Sequence, residues 1–288
     1  MKINELLKTL NDDLGAAEAA QVLCYLTGKD RAFFIAHGGE DVGRLGDEPE
    51  ILARAEAICA ARKAGRPLQY ILGETEFMGL RIAVNESVLI PRPETELLCE
   101  EAKKILMLAA RCGDCDGKCT TCLPAATGPV RILDICTGSG CIAAYLKSEF
   151  PDAEVFASDI SEAALAVAAK NAPDVAMIHS DLFANIDGSF DLITANPPYI
   201  PRAALKDLQR EVQEEPMLAL DGGPSGFELP KKLIQESINC IKPNGTLLVE
   251  IGDDQGAEAL ETAANAGYRS CRIIKDYAGQ DRILVAGF

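Results

Sequence analysis

Asn196-Pro197-Pro198-Tyr199 puts a carboxamide, two ring-locked backbone units and an aromatic ring directly after the apolar run Phe190-Asp191-Leu192-Ile193-Thr194-Ala195. The run reads as a strand, so the turn sits at a strand's C-terminal end, where open α/β sheets bind ligands. Each proline fixes φ and contributes a carbonyl without an N–H, so the turn presents acceptors to whatever docks there. Its chemistry suits holding an –NH2 group, either an amide or an exocyclic amine. The plainer alternative is a Pro-rich turn that only ends a strand.

Upstream residues bear on that choice. Val130-Arg131-Ile132-Leu133-Asp134-Ile135 reads as a buried parallel strand, and Cys136-Thr137-Gly138-Ser139-Gly140 leads from it into the apolar helix start Cys141-Ile142-Ala143-Ala144-Tyr145-Leu146. Gly138 and Gly140 permit a sharp turn and close approach to a ligand, and Ala143 completes the small-residue form of a dinucleotide-type fingerprint. Asp134 lies just before the loop. A second strand, Glu154-Val155-Phe156-Ala157-Ser158, ends in Asp159, an acid placed to bond both hydroxyls of a ribose. Ser180-Asp181-Leu182-Phe183 follows a third apolar segment and is placed to line an adenine pocket. Glycine loop, ribose acid, adenine loop and amine-binding turn thus occur in the order of a nucleoside-cofactor site.

The elements that must position these residues begin at Val130, after which strands and helices alternate, as in a mostly parallel sheet covered on both faces. Gly245–Ile251 and Arg282–Ala286 supply its later strands. Residues 1 to about 73 carry apolar residues at helical spacing in four segments, with breaks at Asp13–Gly15, Gly28 and Gly38–Gly46, and predict a small helical bundle. From Glu76 to Ile90 the period becomes alternating. Phe77–Val84 and Ser87–Ile90 predict two strands joined at Asn85-Glu86, a hairpin linker over 74–93. Pro91-Arg92-Pro93-Glu94-Thr95-Glu96 then leads into a helix near Glu94, with Arg92 or Thr95 facing the cofactor or serving as a helix-entry cap. The remainder, 94–288, is expected to form the domain that carries the site, interrupted at 112–122.

That interruption holds Cys112, Cys115, Cys119 and Cys122, two C-x-x-C pairs with ligand spacing for a structural zinc. The gap between the pairs is shorter than in a zinc ribbon and the run differs from the ferredoxin pattern, so a loop of free thiols is the alternative. Eleven cysteines, an odd number spread through apolar segments, point to a reducing cytoplasm rather than a disulfide scaffold. The net charge of −16 argues against a general phosphate-binding surface and hence against direct nucleic-acid binding. No uncharged apolar run of about eighteen residues predicts a membrane span. Only His37 and His179 are present, neither in a nucleophile or metal motif, which argues against histidine acid–base chemistry.

Taken together, Gly65–Gly73, Glu76–Leu80, Leu89–Glu96 and Asn196–Ile200 resemble the glutamine-N5 methyltransferases that modify peptide chain release factors. The resemblance covers most of the chain; the glycine loop and the Asn-Pro-Pro-Tyr turn are shared with other amino methyltransferases. It implies a Rossmann-like class I methyltransferase sheet, S-adenosylmethionine as methyl donor, a helical domain that engages the release factor, and a target glutamine in that factor's Gly-Gly-Gln loop. Residue by residue, it implies that Cys136, Thr137, Gly138, Ser139 and Gly140 cradle the cofactor's amino-acid end, Asp159 its ribose, and Leu182 its adenine. Asn196, Pro197, Pro198 and Tyr199 would hold the glutamine, with Asn196 also beside the cofactor and Asn196, Pro197 and Tyr199 carrying catalysis. Cys136 stands where the family usually has glycine, Leu182 where an aromatic is common, and the cysteine-rich segment has no counterpart. The alternative function is an N6-adenine methyltransferase acting on DNA or RNA, since the same turn can hold a flipped base's amine. A non-catalytic binder and a nicotinamide oxidoreductase are disfavoured by the intact acceptor turn and by the lack of a partnered proton donor.

Overall fold

The computed structural model describes residues 1–111 and 128–288. Cys112, Cys115, Cys119 and Cys122, and with them the zinc expectation, lie outside the described residues. Two compact units make up the chain: Met1–Glu74 with Gln209–Glu214, and Thr75–Leu208 with Glu215–Phe288.

The first unit contains α1 (Ile3–Leu14), α2 (Ala16–Thr27), α3 (Arg31–His37), α4 (Glu48–Lys63) and α5 (Leu68–Leu72). Ile3, Leu6 and Leu10 recur at helical spacing on α1 and are buried against Ala19, Val22 and Leu23 of α2 and Ile51, Ala55 and Ile58 of α4. Asp30 caps α3 through the Phe33 N–H at 2.8 Å, and Asp47 caps α4 through the Glu50 N–H at 3.3 Å. Arg62 donates from Nε to both Glu18 oxygens, at 2.9 and 3.1 Å, and from Nη1 to Glu211 at 2.9 Å. The second contact ties the Gln209–Glu214 segment into this unit.

The second unit opens with a hairpin, β1 (Glu74–Phe77) and β2 (Leu80–Ala83). The sequence places the hairpin turn at Asn85-Glu86; the structure puts it at Met78-Gly79, and Ser87–Ile90 is not a strand. The reason is local. Met78 and Gly79 have φ of 51° and 77°, the pair of left-handed residues that a two-residue hairpin turn needs. Methionine rarely adopts that conformation, so the alternation from Phe77 to Val84 looks like one unbroken strand.

Then follow α6 (Pro93–Arg111), β3 (Arg131–Ile135), α7 (Cys141–Glu149), β4 (Glu154–Asp159), α8 (Glu162–Asn171), β5 (Ala176–His179) and β6 (Phe190–Ala195). After the short α9 (Arg210–Gln213), which belongs to the first unit, come α10 (Glu228–Ser237), β7 (Ile241–Glu250), α11 (Gly256–Ala266), β8 (Ser270–Lys275) and β9 (Asp281–Gly287). The strands form one seven-stranded sheet in the order β5-β4-β3-β6-β7-β9-β8. Strands β3 to β7 pair in parallel, whereas β9 runs antiparallel to both neighbours. β6 is buried along its whole length, as a central parallel strand's continuous apolar run requires.

Alternation along the strands decides which residues reach which face. Leu133, Ile135, Ile193, Ala195, Leu247 and Val249 share a core with Leu233 and Ile234 of α10 and Ala259 and Ala263 of α11. Each such fully buried leucine or isoleucine stabilises the fold by about 1.5–3 kcal/mol. Asp134, Thr194 and Glu250 alternate with them and therefore belong to the opposite face, towards α6. The chain leaves β3 for β4 and β5, then returns to β6 on the other side of β3, so the sheet has its switch point between β3 and β6. Ile135, Ser158, Ala195 and Val249 are register partners across four strands. One residue beyond them stand Cys136, Asp159, Asn196 and Glu250.

Candidate active site

A cavity of about 320 Å³ opens at this switch point, lined by residues of the second unit. Among the residues singled out from sequence, it is walled by Cys136, Thr137, Gly138, Ser139, Asp159, Leu182, Asn196 and Pro198. Gly140, Pro197 and Tyr199 do not line it. Of the two residues offered as facing the cofactor, Thr95 reaches the wall, whereas Arg92 pairs instead with the buried carboxylate of Glu215.

The glycine loop is built from both sides. Gly138 (φ 54°) donates its N–H to Asp159 Oδ2 at 2.9 Å, while Ser161 donates its N–H to Asp159 Oδ1 at 2.9 Å. Each carboxylate oxygen keeps a second acceptor site, so Asp159 can organise the loop and still receive hydroxyl donors. Burial raises its pKa, and the backbone donors from Ser161 and Gly138 oppose the rise. Gly140 serves packing: its φ is 77°, and a Cβ there would stand 2.8 Å from Ala168 Cβ on α8. Asn171, at the end of the same helix, donates to Ser139 O at 2.8 Å and to Ala83 O at 2.9 Å, and accepts from the Ala83 N–H. It joins the loop to the hairpin.

Asp134 sits beneath this loop and does not line the cavity. It is wholly buried and accepts from the hydroxyls of Thr137 (2.6 Å) and Thr194 (2.8 Å), which locks the first residues of the loop to β6. Burial raises its pKa to about 7 against the opposing effect of the two hydroxyls. Cys136 holds a left-handed backbone, φ 57°, which costs a side-chain-bearing residue about 1–2 kcal/mol. Its thiol is pushed well above the ordinary range by burial, so it stays protonated. Leu182 is also left-handed, φ 48°, and is held by Ser180 Oγ donating to its carbonyl at 2.8 Å.

The Asn196 turn is fixed from behind. Asn196 Nδ2 donates to Thr95 Oγ1 at 3.1 Å, and Thr95 Oγ1 donates to Glu250 Oε2 at 2.7 Å. The Tyr199 hydroxyl donates to Glu250 Oε1 at 3.0 Å. Gln255 Nε2 donates to the Tyr199 carbonyl at 3.0 Å. The loop Asp221-Gly222-Gly223-Pro224-Ser225-Gly226 backs the turn: a Cβ on Gly222 would lie 2.7 Å from Tyr199 Cα, and one on Gly226 would lie 2.5 Å from the Tyr199 carbonyl oxygen. Among the described residues none donates to Asn196 Oδ1 or to the Pro197 carbonyl. Two acceptors are therefore left without a donor among those residues, one on Asn196 at the cavity wall and one on Pro197 next to it in the chain.

Residues 2–73 match the PrmC N-terminal domain family and residues 120–218 the methyltransferase small domain family. The release factor glutamine methyltransferase of Moorella thermoacetica is 39% identical over 258 residues, which is 83% of this chain and 85% of that protein. Its counterpart in Geobacter sulfurreducens is 38% identical, covering 82% of this chain and 78% of that one. The chain belongs to the release factor glutamine methyltransferase family. Among solved structures, a methyltransferase from Pyrococcus furiosus matches with a TM-score of 0.50 at 20% identity, covering 82% of this chain and 96% of that one. The catalytic domain of hMettl16, bound to a 3′UTR hairpin, matches with a TM-score of 0.55 at 15% identity, covering 84% and 82%. At these identities the likeness establishes the fold, a class I methyltransferase.

Within that family frame, Glu250, Thr95, Asn171, Gly222 and Gly226 are site-building residues that the sequence reading left without a role or undecided. Glu250 carried a usable signal, because it ends an apolar strand as Asp159 does. The cavity also fits the family's cofactor. Ser158 lines it, and its buried Oγ has no hydrogen-bond partner beside the Asp159 carboxylate and the glycine loop. Among the described residues no group of three or more His, Cys, Asp or Glu could hold a metal ion, and no helix is long and apolar enough to cross a membrane.

Proposed function

We propose that this enzyme methylates the side-chain amide nitrogen of the glutamine in the Gly-Gly-Gln loop of peptide chain release factors. The observation that carries the reading is the pair of unused acceptors, Asn196 Oδ1 and the Pro197 carbonyl, at the end of β6 beside the cavity. Cys136, Thr137, Gly138, Ser139, Asp159 and Leu182 would hold S-adenosylmethionine, with Asn196 beside it, and the bound cofactor would supply an electrophilic methyl carbon. The protein's own residues have to make a poor nucleophile reactive, because an amide nitrogen shares its lone pair with the carbonyl. Asn196 Oδ1 and the Pro197 oxygen accept its two N–H bonds and fix the amide plane. As the lone pair leaves resonance and positive charge develops on nitrogen, the same two oxygens stabilise that charge, and the loss of one of the two N–H protons leaves a neutral secondary amide. Positioning of this kind supplies on the order of 7–11 kcal/mol. Pro198 walls the cavity against water, and the Tyr199 ring stiffens the turn through its hydroxyl bond to Glu250.

The helical unit, matched to the PrmC N-terminal domain family, is read as the module that engages the release factor. A cytoplasmic location belongs to the same reading, and all seven cysteines among the described residues are free thiols. The adenine N6 alternative has nothing here in its favour beyond the shared turn.

The direct test incubates the chain with a release factor and S-adenosylmethionine, then maps the added methyl group by tandem mass spectrometry. Methyl on the Gly-Gly-Gln glutamine is expected. Methyl on adenine of added nucleic acid instead would overturn the reading. Asn196→Ala is expected to retain cofactor affinity while turnover falls by at least about 10²-fold; unchanged turnover would remove Asn196 from the mechanism.

A further inference from the structure

We propose that Glu250, acting through Thr95, sets which way the Asn196 carboxamide faces and so leaves its oxygen, rather than its nitrogen, for the substrate amide. The inference rests on the proposed function and adds a positioning device to it. A carboxamide is nearly symmetric in shape, and packing alone hardly distinguishes its oxygen from its nitrogen. Facing the wrong way, Asn196 would point N–H groups at the N–H groups of the glutamine. Something must bias the choice.

Glu250 supplies the bias because an ionised carboxylate only accepts hydrogen bonds. It is fully buried at the end of β7, and each oxygen takes one hydroxyl: Thr95 at 2.7 Å on Oε2, Tyr199 at 3.0 Å on Oε1. The Thr95 proton is thereby committed, and its oxygen can only accept from the other side. What lies on that side is Asn196, which must present its nitrogen, as the 3.1 Å Nδ2 contact shows. The polarity runs one way, from carboxylate to hydroxyl to carboxamide. Thr95 is 2% exposed, so water does not replace it in the chain.

Protonation of Glu250 would turn one oxygen into a donor and allow the chain to reverse. Burial raises its pKa; the Thr95 and Tyr199 hydroxyls and the Arg282 charge from β9 oppose the rise, and Glu94 on α6 adds to it. Its charge also reaches Cys99 on α6 and Cys141 on α7, both held protonated by burial. Turnover should therefore decline on the acid side as Glu250 gains its proton.

The test compares Thr95→Val, Thr95→Ser and Glu250→Gln in the full chain. Melting temperature and S-adenosylmethionine affinity serve as controls for folding and for the cavity. The first readout is made on the free protein. The Asn196 side-chain NH2 resonances, identified by their loss in Asn196→Asp, should move in Thr95→Val and Glu250→Gln and stay close to wild type in Thr95→Ser. The second is turnover on the release factor. Thr95→Val should lose about 10–100-fold in kcat with KM little changed, and Thr95→Ser should restore most of it. Glu250→Gln should lose a similar amount together with the acid limb of the pH profile. Unmoved Asn196 resonances in Thr95→Val, or wild-type kcat in that variant, would overturn the relay. A wild-type chain that transfers no methyl group would sink the proposed function instead, and the resonances would still judge the relay.

Discussion

Asp134 is enclosed at the end of its strand, where two threonine hydroxyls hydrogen-bond its carboxylate, and that burial has a measurable consequence for stability. Its pKa is raised from 3.8 to about 7 by burial, so the folded state holds this proton over a range where the unfolded chain has released it. The sign follows from linkage. Below pH of about 4 both states are protonated and the group costs nothing; between about 4 and 7 the unfolded state binds fewer protons, so stability falls as pH rises, by up to about 4 kcal/mol, and is flat above. Asp134→Asn can still accept from Thr137 and Thr194 but cannot ionise. It should flatten this part of the profile, which urea denaturation of both proteins at pH 5 and pH 8 would measure. An equal drop in the two proteins would show that Asp134 ionises normally. At this scale the sequence signalled the acid before the glycine loop but not its role, because only the three-dimensional neighbours distinguish a ligand from a buried brace.

The elements that carry the site were legible where chemistry follows a strand's period, and not where two distant loops meet. The apolar runs before Cys136, Asp159 and Asn196 announce strands, and ligand-type residues at their ends follow from the parallel arrangement. The hairpin turn was hidden because Met78 takes a conformation that its side chain does not advertise. Gly222 was hidden for a different reason. Asp-Gly-Gly-Pro reads as any surface turn, yet a Cβ on Gly222 would lie 2.4 Å from Gly226 O, 2.7 Å from Tyr199 Cα and 2.8 Å from Pro198 O, all backbone atoms that cannot step aside cheaply. Gly222→Ala should therefore cost about 1–3 kcal/mol by overpacking and displace the acceptor turn, lowering turnover more than the loss of stability explains. Gly39→Ala, where nothing lies within 4 Å, is the control and should leave both almost unchanged. Thermal melts and initial rates on the same two variants decide it, and equal behaviour would mean the loop does not hold the turn.

For the molecule as a whole, long-range pairing decides what local pattern cannot. Arg62 and Glu211 are 149 residues apart, and no periodicity places Gln209–Glu214 in the helical unit. The cofactor cavity, by contrast, is lined by the second unit alone, so ligand binding energy enters the stability of that unit. A ligand that binds only the folded state stabilises it by about 2.7 kcal/mol at a concentration of 100 times Kd, which for a body of this size raises the melting temperature by about 5–10 °C. S-adenosylmethionine should produce such a shift without any release factor present. Asn196→Ala should keep most of it if Asn196 acts as proposed, on the substrate amide rather than on the cofactor. Asp159→Ala should lose most of it, since the carboxylate proposed to receive the ribose hydroxyls also holds Gly138 in the loop. Scanning calorimetry of each variant with and without cofactor measures the shift as a difference within one protein, so the lower starting stability of Asp159→Ala does not enter. A full shift in Asp159→Ala would place the cofactor's hydroxyls elsewhere in the cavity, and a lost shift in Asn196→Ala would make that residue part of the cofactor cradle first and the substrate clamp second.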